Sequence, residues 1–151
     1  MASSGTAGIE SLVFGKARFV LRAEGPVHLP PFLGSALRGA LGASLRRVAC
    51  VLRAQECGTC MLRNGSAPAS AYLSLFETPV PRSATRLRLL EHVPHPFLVE
   101  PPEERETPYA AGDELRFSVV LVGRALEHFP YVVAAVDRMA GRGLGAARRQ
   151  F

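Results

Sequence analysis

The stretch Asp113 to Arg124, DELRFSVVLVGR, alternates over its length, so that Leu115, Phe117, Val119 and Leu121 fall on one face of an extended chain. A strand with one such apolar face has to bury it against another layer. Ala17 to Ala23, ARFVLRA, repeats the pattern more weakly, with Phe19 and Leu21 on one side and Arg18, Val20 and Arg22 on the other. Two half-buried strands of this kind, each followed by a helical pattern, call for helices over the apolar face.

The covering layer is legible after each strand. Gly25, Pro26, Pro30 and Pro31 break the first, and Gly34 or Ser35 is placed to cap a helix expected from Ser35 to Leu52. Leu37, Leu41, Leu45, Val48 and Leu52 form its apolar stripe. After the second strand, Pro130 suits a first helical turn, and Val132, Val133, Val136 and Met139 supply the apolar side of a helix ending at Gly141. The segment Gln55 to Pro81 reads as loop-rich, and AYLSLFE within it is too short to assign. Leu87 to Leu90 and Phe97 to Val99 are either two parts of a hairpin or one strand interrupted around VPHP. Glu100 to Gly112, charged and proline-rich, reads as a surface connector. The closing GRGLGAARRQF turns and enters a further strand at about Ala147. The order is that of an α+β, ferredoxin-like (RRM-like) βαββαβ sandwich whose last strand is cut short. Residues 1–16 are expected as a flexible arm and residues 17–151 as a single domain.

Charge narrows the class of partner. Lys and Arg number 18 against 13 Asp and Glu, a net charge of +5, and Lys16 is the one lysine. An arginine-rich excess suits bidentate contact with phosphates and stacking on bases, although a bias in codon usage would produce the same ratio. No apolar run reaches the roughly 18 residues of a membrane span, and the opening MASSGTAGIESLVF lacks the basic and apolar regions of an export signal, so no membrane partner and a cytoplasmic location are expected. Three cysteines in such a chain imply reduced thiols rather than a disulfide framework. Cys57 and Cys60 have the spacing of half a zinc knuckle, and Cys50 could add a third thiolate. Structural zinc wants four ligands, so either His92 or His95 completes the set or the site has decayed, and decay is the favoured reading.

Two glycine-rich elements stand out. On the first helix Ser35, Arg38, Gly39, Gly42 and Arg46 share the face opposite the leucines. Each interior glycine costs about 1 kcal/mol of helix propensity relative to alanine. Such glycines serve close approach, either of the sheet beneath or of a ligand above. The second element, GRGLGAARR at 141 to 149, matches neither a Walker A loop nor a dinucleotide fingerprint. It does set the backbone of Gly143 and Gly145 among Arg142, Arg148 and Arg149, a cradle suited to a sugar-phosphate chain, with a plain helix C-cap and turn as the alternative.

The stretches LPPFLGSALRGALG (29 to 42), ACVLRAQECGTC (49 to 60), YLSLFETP (72 to 79), PHPFLVEPP (94 to 102) and AGDELRFSVVLVGRA (111 to 125), followed by FPYVVAAVDRMAGRGLGAARRQF, occur in this order. Together they resemble the N-terminal part of the RAMP superfamily of CRISPR-associated proteins, in the branch of endoribonucleases that process precursor CRISPR RNA. The resemblance implies a ferredoxin-like RNA-binding domain with CRISPR repeat RNA as substrate. It further implies metal-independent cleavage, without a cofactor, by attack of a ribose 2′-hydroxyl on the adjacent phosphate. Relatives carry two such domains; here the second is absent, which points to a fragment whose protein partners would be a second RAMP domain or other CRISPR proteins. A histidine is often the general acid or base in that chemistry, because its unperturbed pKa lies near neutrality. His28 is the candidate, with Arg38 beside it to stabilise charge on the phosphate. Arg38, Gly39, Gly42, Arg46, Arg142, Gly143, Gly145, Arg148 and Arg149 are the candidate RNA contacts. His95, bracketed by prolines, reads as a structural loop residue, and His92 and His128 as surface or capping residues. Two other readings stand beside this one: a noncatalytic RAMP subunit that coats guide RNA, and a ferredoxin-like module for protein interaction.

Overall fold

A computed structural model describes residues 12–50, 52, 70–78, 93–103 and 108–144. Their elements run β1 (Phe14–Arg22), α1 (Leu33–Ala49), a π-helical turn (Leu73–Glu77), β2 (Phe97–Glu100), β3 (Glu114–Val122), a 3-10 turn (Gly123–His128) and α2 (Phe129–Arg142). The sheet order is β1-β3-β2, antiparallel at both junctions. β1 and β2 are therefore parallel with β3 between them, and α1 lies in the connection from β1 to β2: this is a split βαβ unit within an α+β domain.

Alternation decides which face of the sheet is covered. Leu115, Phe117, Val119 and Leu121 are all buried, as their spacing predicts, and Phe19 and Leu21 of β1 pack against the same core. Leu33, Leu37, Leu41 and Leu45 of α1 and Val132, Ala135, Val136 and Met139 of α2 close over them. Across the sheet, Phe14, Val20 and Leu98 are exposed. On that open face Lys16 pairs with Glu100, and Arg22 and Arg116 both engage Glu114, whose carboxyl is held below its ordinary range by hydrogen bonds from Arg116 and Arg22.

Several boundaries differ from the sequence expectations. α1 begins two residues early, with Phe32 at its cap and no side-chain hydrogen bond there, because Ser35 sits inside the first turn and donates its hydroxyl to Phe32 O at 2.9 Å. It ends at Ala49, so Val48 and Leu52 are only partly buried and Leu33 takes a place on the stripe. Val133 is exposed on α2, since Val132 and Val136 already define the buried line and Val133 lies about 100° round the helix from Val132. The connector before β3 is not wholly a surface segment. Tyr109 is 5 % exposed and forms a two-way bridge with Val27, while Ala23 and Gly112 bond at the turn, tying the loop after β1 to the approach to β3. Leu87 to Leu90 and the strand expected near Ala147 lie outside the described residues, as do residues 1–11 of the expected arm.

His128, at the junction of the 3-10 turn and α2, is partly buried, and that burial pushes its pKa below the ordinary 6.5. The unfolded chain thus binds a proton that the folded one resists. Stability should be full above about pH 6.5 and fall as pH descends towards the depressed folded value, below which the loss levels off. Thermal melts between pH 7.5 and 5, with His128→Gln as the flat control on this component, check it.

Candidate functional site

α1, the π-helical turn and β2 meet at one corner of the domain, and the side chains there are aromatic and arginine. Ser70 begins the turn, its hydroxyl accepting from Leu73 N at 3.2 Å and its carbonyl from Ser74 N at 2.9 Å. Tyr72 and Phe76, four residues apart, emerge on the same side and stack with centroids 5.5 Å apart and planes 5° from parallel. Phe76 leans on Phe97 of β2 at 4.7 Å, and Phe97 in turn neighbours the ring of His95 at 6.3 Å. Tyr72, Phe76, Phe97 and His95 thus form a continuous ladder.

The two α1 arginines close on this ladder. The Arg38 guanidinium carbon lies 4.4 Å from the Phe97 centroid and 5.3 Å from that of Phe76, and Arg46 lies 5.8 Å from Tyr72. These are cation–π distances, and the planar Arg38 guanidinium held over its rings keeps its in-plane N–H donors. Among the described residues no ion pair or hydrogen bond engages Arg38. Next to them a groove of about 620 Å³ is lined by Gly42, Ala43, Arg46, Arg47 and Tyr72.

The glycines on this face serve different ends. A Cβ on Gly42 would come within 2.8 Å of Phe76 Cε1 and within 3.1 and 3.2 Å of two more ring atoms. The close approach that Gly42 permits is that of a phenyl ring, where the sequence suggests the sheet or a ligand. Gly39 is exposed, with nothing within 4 Å of the Cβ position, and leaves bare backbone beside Arg38.

The remaining candidates are dispersed. Phe97 pairs with Leu121, which pairs with Gly15, so Arg38 over Phe97 belongs to the end of the sheet where β1 begins. His28 is exposed and follows Val27, whose bridge to Tyr109 lies beyond the other end, where β1 finishes. The structure does not bring His28 and Arg38 together. Arg142 is exposed on the last turn of α2, and Gly143 takes φ +82° while its N–H donates to Ala140 O, a helix-terminating role that a side chain would strain. Gly145, Arg148 and Arg149 lie outside the described residues, as do Cys57 and Cys60. Cys50 is a buried free thiol, and the described residues hold no cluster of three metal-binding side chains.

A family model, AF_1859_N, described as an N-terminal domain, matches residues 12–151. The chain belongs to the AF_1859_N family. No curated protein and no solved structure matches it. Every residue of the arginine–aromatic corner falls within the stretch that defines membership of AF_1859_N. No described helix is long and apolar enough to cross a membrane.

What the sequence missed is the ladder itself. Tyr72 and Phe76 stand in an unassigned segment, and their i, i+4 spacing in AYLSLFE is the signal that would have placed both on one helical face.

Proposed function

We propose that this chain is the RNA-binding domain of a RAMP-superfamily endoribonuclease, ferredoxin-like in fold, that processes precursor CRISPR RNA by attack of a 2′-hydroxyl on the adjacent phosphate. The observation that carries the reading is the pair of arginines, Arg38 and Arg46, set against aromatic rings along α1 beside an open groove. Guanidinium groups fixed in this way meet phosphate oxygens with little further loss of side-chain freedom. Tyr72 offers a ring at the same groove, the combination by which single strands are held through backbone and base together. The β1-β3-β2 order and the split βαβ unit support a ferredoxin-like sandwich, in which the remaining strand would lie beside β1. The family's description as an N-terminal domain is compatible with the tandem arrangement that the resemblance implies.

The test is binding of a labelled CRISPR repeat RNA by the full chain across a salt series. Neutralisation of several phosphates makes the logarithm of affinity fall linearly with the logarithm of salt. A steep slope is expected. Affinity unchanged from low to high salt would remove the proposal. The separation of His28 from Arg38 favours, as second reading, a noncatalytic subunit that coats guide RNA; bound RNA that stays intact would decide for it.

A further inference from the structure

The arginine–aromatic corner holds a histidine, His95, whose flanking prolines suggest a structural role. Thr78 Oγ1 lies 3.2 Å from His95 Nδ1 and also 3.1 Å from Ser74 O and 3.4 Å from Leu75 O. A threonine hydroxyl has one hydrogen. With that hydrogen directed to the nearer carbonyl, Ser74 O, the contact with His95 is one in which Nδ1–H donates to Oγ1. In that arrangement Nε2 is the nitrogen left free to accept a proton.

His95 is exposed, yet it is held in place. Pro94 and Pro96 restrict the backbone on either side, Pro96 O accepts from Val122 N at 2.9 Å, and the ring adjoins Phe97. Arg38 lies over that same Phe97 ring, so the guanidinium and the imidazole are arranged around one side chain. Their separation is capped by the sum of the two distances to its centroid. Gly39, beside Arg38, leaves room where a side chain would stand.

We propose that His95, not His28, is the general base and acid of the RNA cleavage, with Arg38 bound to the scissile phosphate; this rests on the RNA-cleaving reading above. Nε2 takes the proton of a ribose 2′-hydroxyl, and the 2′-oxygen forms a bond to the adjacent phosphorus. The bond from phosphorus to the 5′-oxygen breaks, and the proton returns from Nε2 to that leaving oxygen. The products are a 2′,3′-cyclic phosphate and a 5′-hydroxyl, with no change of oxidation state and no co-reactant. Arg38 holds the phosphate and offsets the charge that gathers on it. Thr78 is a positioning residue, acting through the tautomer it imposes.

The full chain is incubated in EDTA with a labelled CRISPR repeat RNA, binding and cleavage being followed in parallel for the wild type, His95→Ala, His95→Gln, His28→Ala and Thr78→Val. Both His95 variants should slow cleavage by at least about 100-fold, the scale of general acid–base catalysis, while Kd stays within about twofold. His95→Gln keeps a donor towards Thr78 and guards against a folding artefact. His28→Ala should cleave as the wild type does. In ¹⁵N NMR of the wild type His95 should show the Nδ1–H tautomer, and Thr78→Val should lose that preference together with part of the rate. Wild-type cleavage by His95→Gln, or cleavage abolished in His28→Ala, overturns the assignment. RNA bound but left intact by the wild type also overturns it while leaving the binding reading in place, and failure to bind the RNA removes both.

Discussion

Gly42→Leu is expected to lower the unfolding free energy by about 2–3 kcal/mol, and Gly39→Ala, three residues away on the same helix, to raise it by up to about 1 kcal/mol. Helix propensity favours both changes, so the difference is a matter of what each new side chain meets. At Gly42 the first added atom lands 2.8 Å from the Phe76 ring. That ring cannot simply swing aside, because Tyr72 stacks on it at 5.5 Å, Phe97 meets it at 4.7 Å and Arg38 covers it. At Gly39 the added methyl enters open space and only the backbone entropy of glycine is recovered. Urea unfolding of the two variants beside the wild type measures both signs. Stabilisation by both substitutions would mean that the ladder is not seated on α1.

The two long strands and their covering helices were legible because their signals are local and redundant, whereas β2, four residues long, carries too short a pattern to separate from the open alternatives around VPHP. Leu115, Phe117, Val119 and Leu121 alternate without a break, the leucines of α1 repeat every four residues, and all of them enter one core. Element ends were less legible. Ser35 has the right chemistry for an N-cap, but the helix extends past it to Leu33, whose burial outweighs the hydrogen bond a serine cap would supply. Tyr109 shows the same limit in a loop: its burial depends on the bridge to Val27, a partner some eighty positions away that no local pattern announces.

The site was half legible. Arg38, Gly42 and Arg46 declare themselves by sharing a helix face, but what that face meets depends on Tyr72, Phe76 and Phe97, which come from two other parts of the chain. The reason for Gly42 was therefore visible only as a vacancy awaiting an occupant. His28 lies between the first strand and the first helix, a sequence neighbourhood that the register of β2 on β3 turns into the wrong end of the sheet for Arg38. The prolines that flank His95 read as the mark of a structural loop, although restricted backbone is equally a means of holding a ring in position.

Replacement of Arg38 and Arg46 by alanine should each weaken binding of a labelled CRISPR repeat RNA by about tenfold, near 1.4 kcal/mol, and the double variant by about 100-fold. For a single strand the salt slope should also fall by about 0.7 for each phosphate that is no longer neutralised. Arg38→Lys should not restore binding, because an ammonium on a flexible stem cannot lie as a plate over Phe97 and direct several donors outward at once. A purely structural cation–π role makes a different prediction. The variants would then melt earlier, since Phe76 and Phe97 lose the cover of Arg38 and Tyr72 that of Arg46, yet bind RNA with an unchanged Kd and an unchanged slope. Measuring melting temperature and salt-dependent affinity on the same variants separates the two, because only phosphate binding ties the loss of a guanidinium to the number of counterions released.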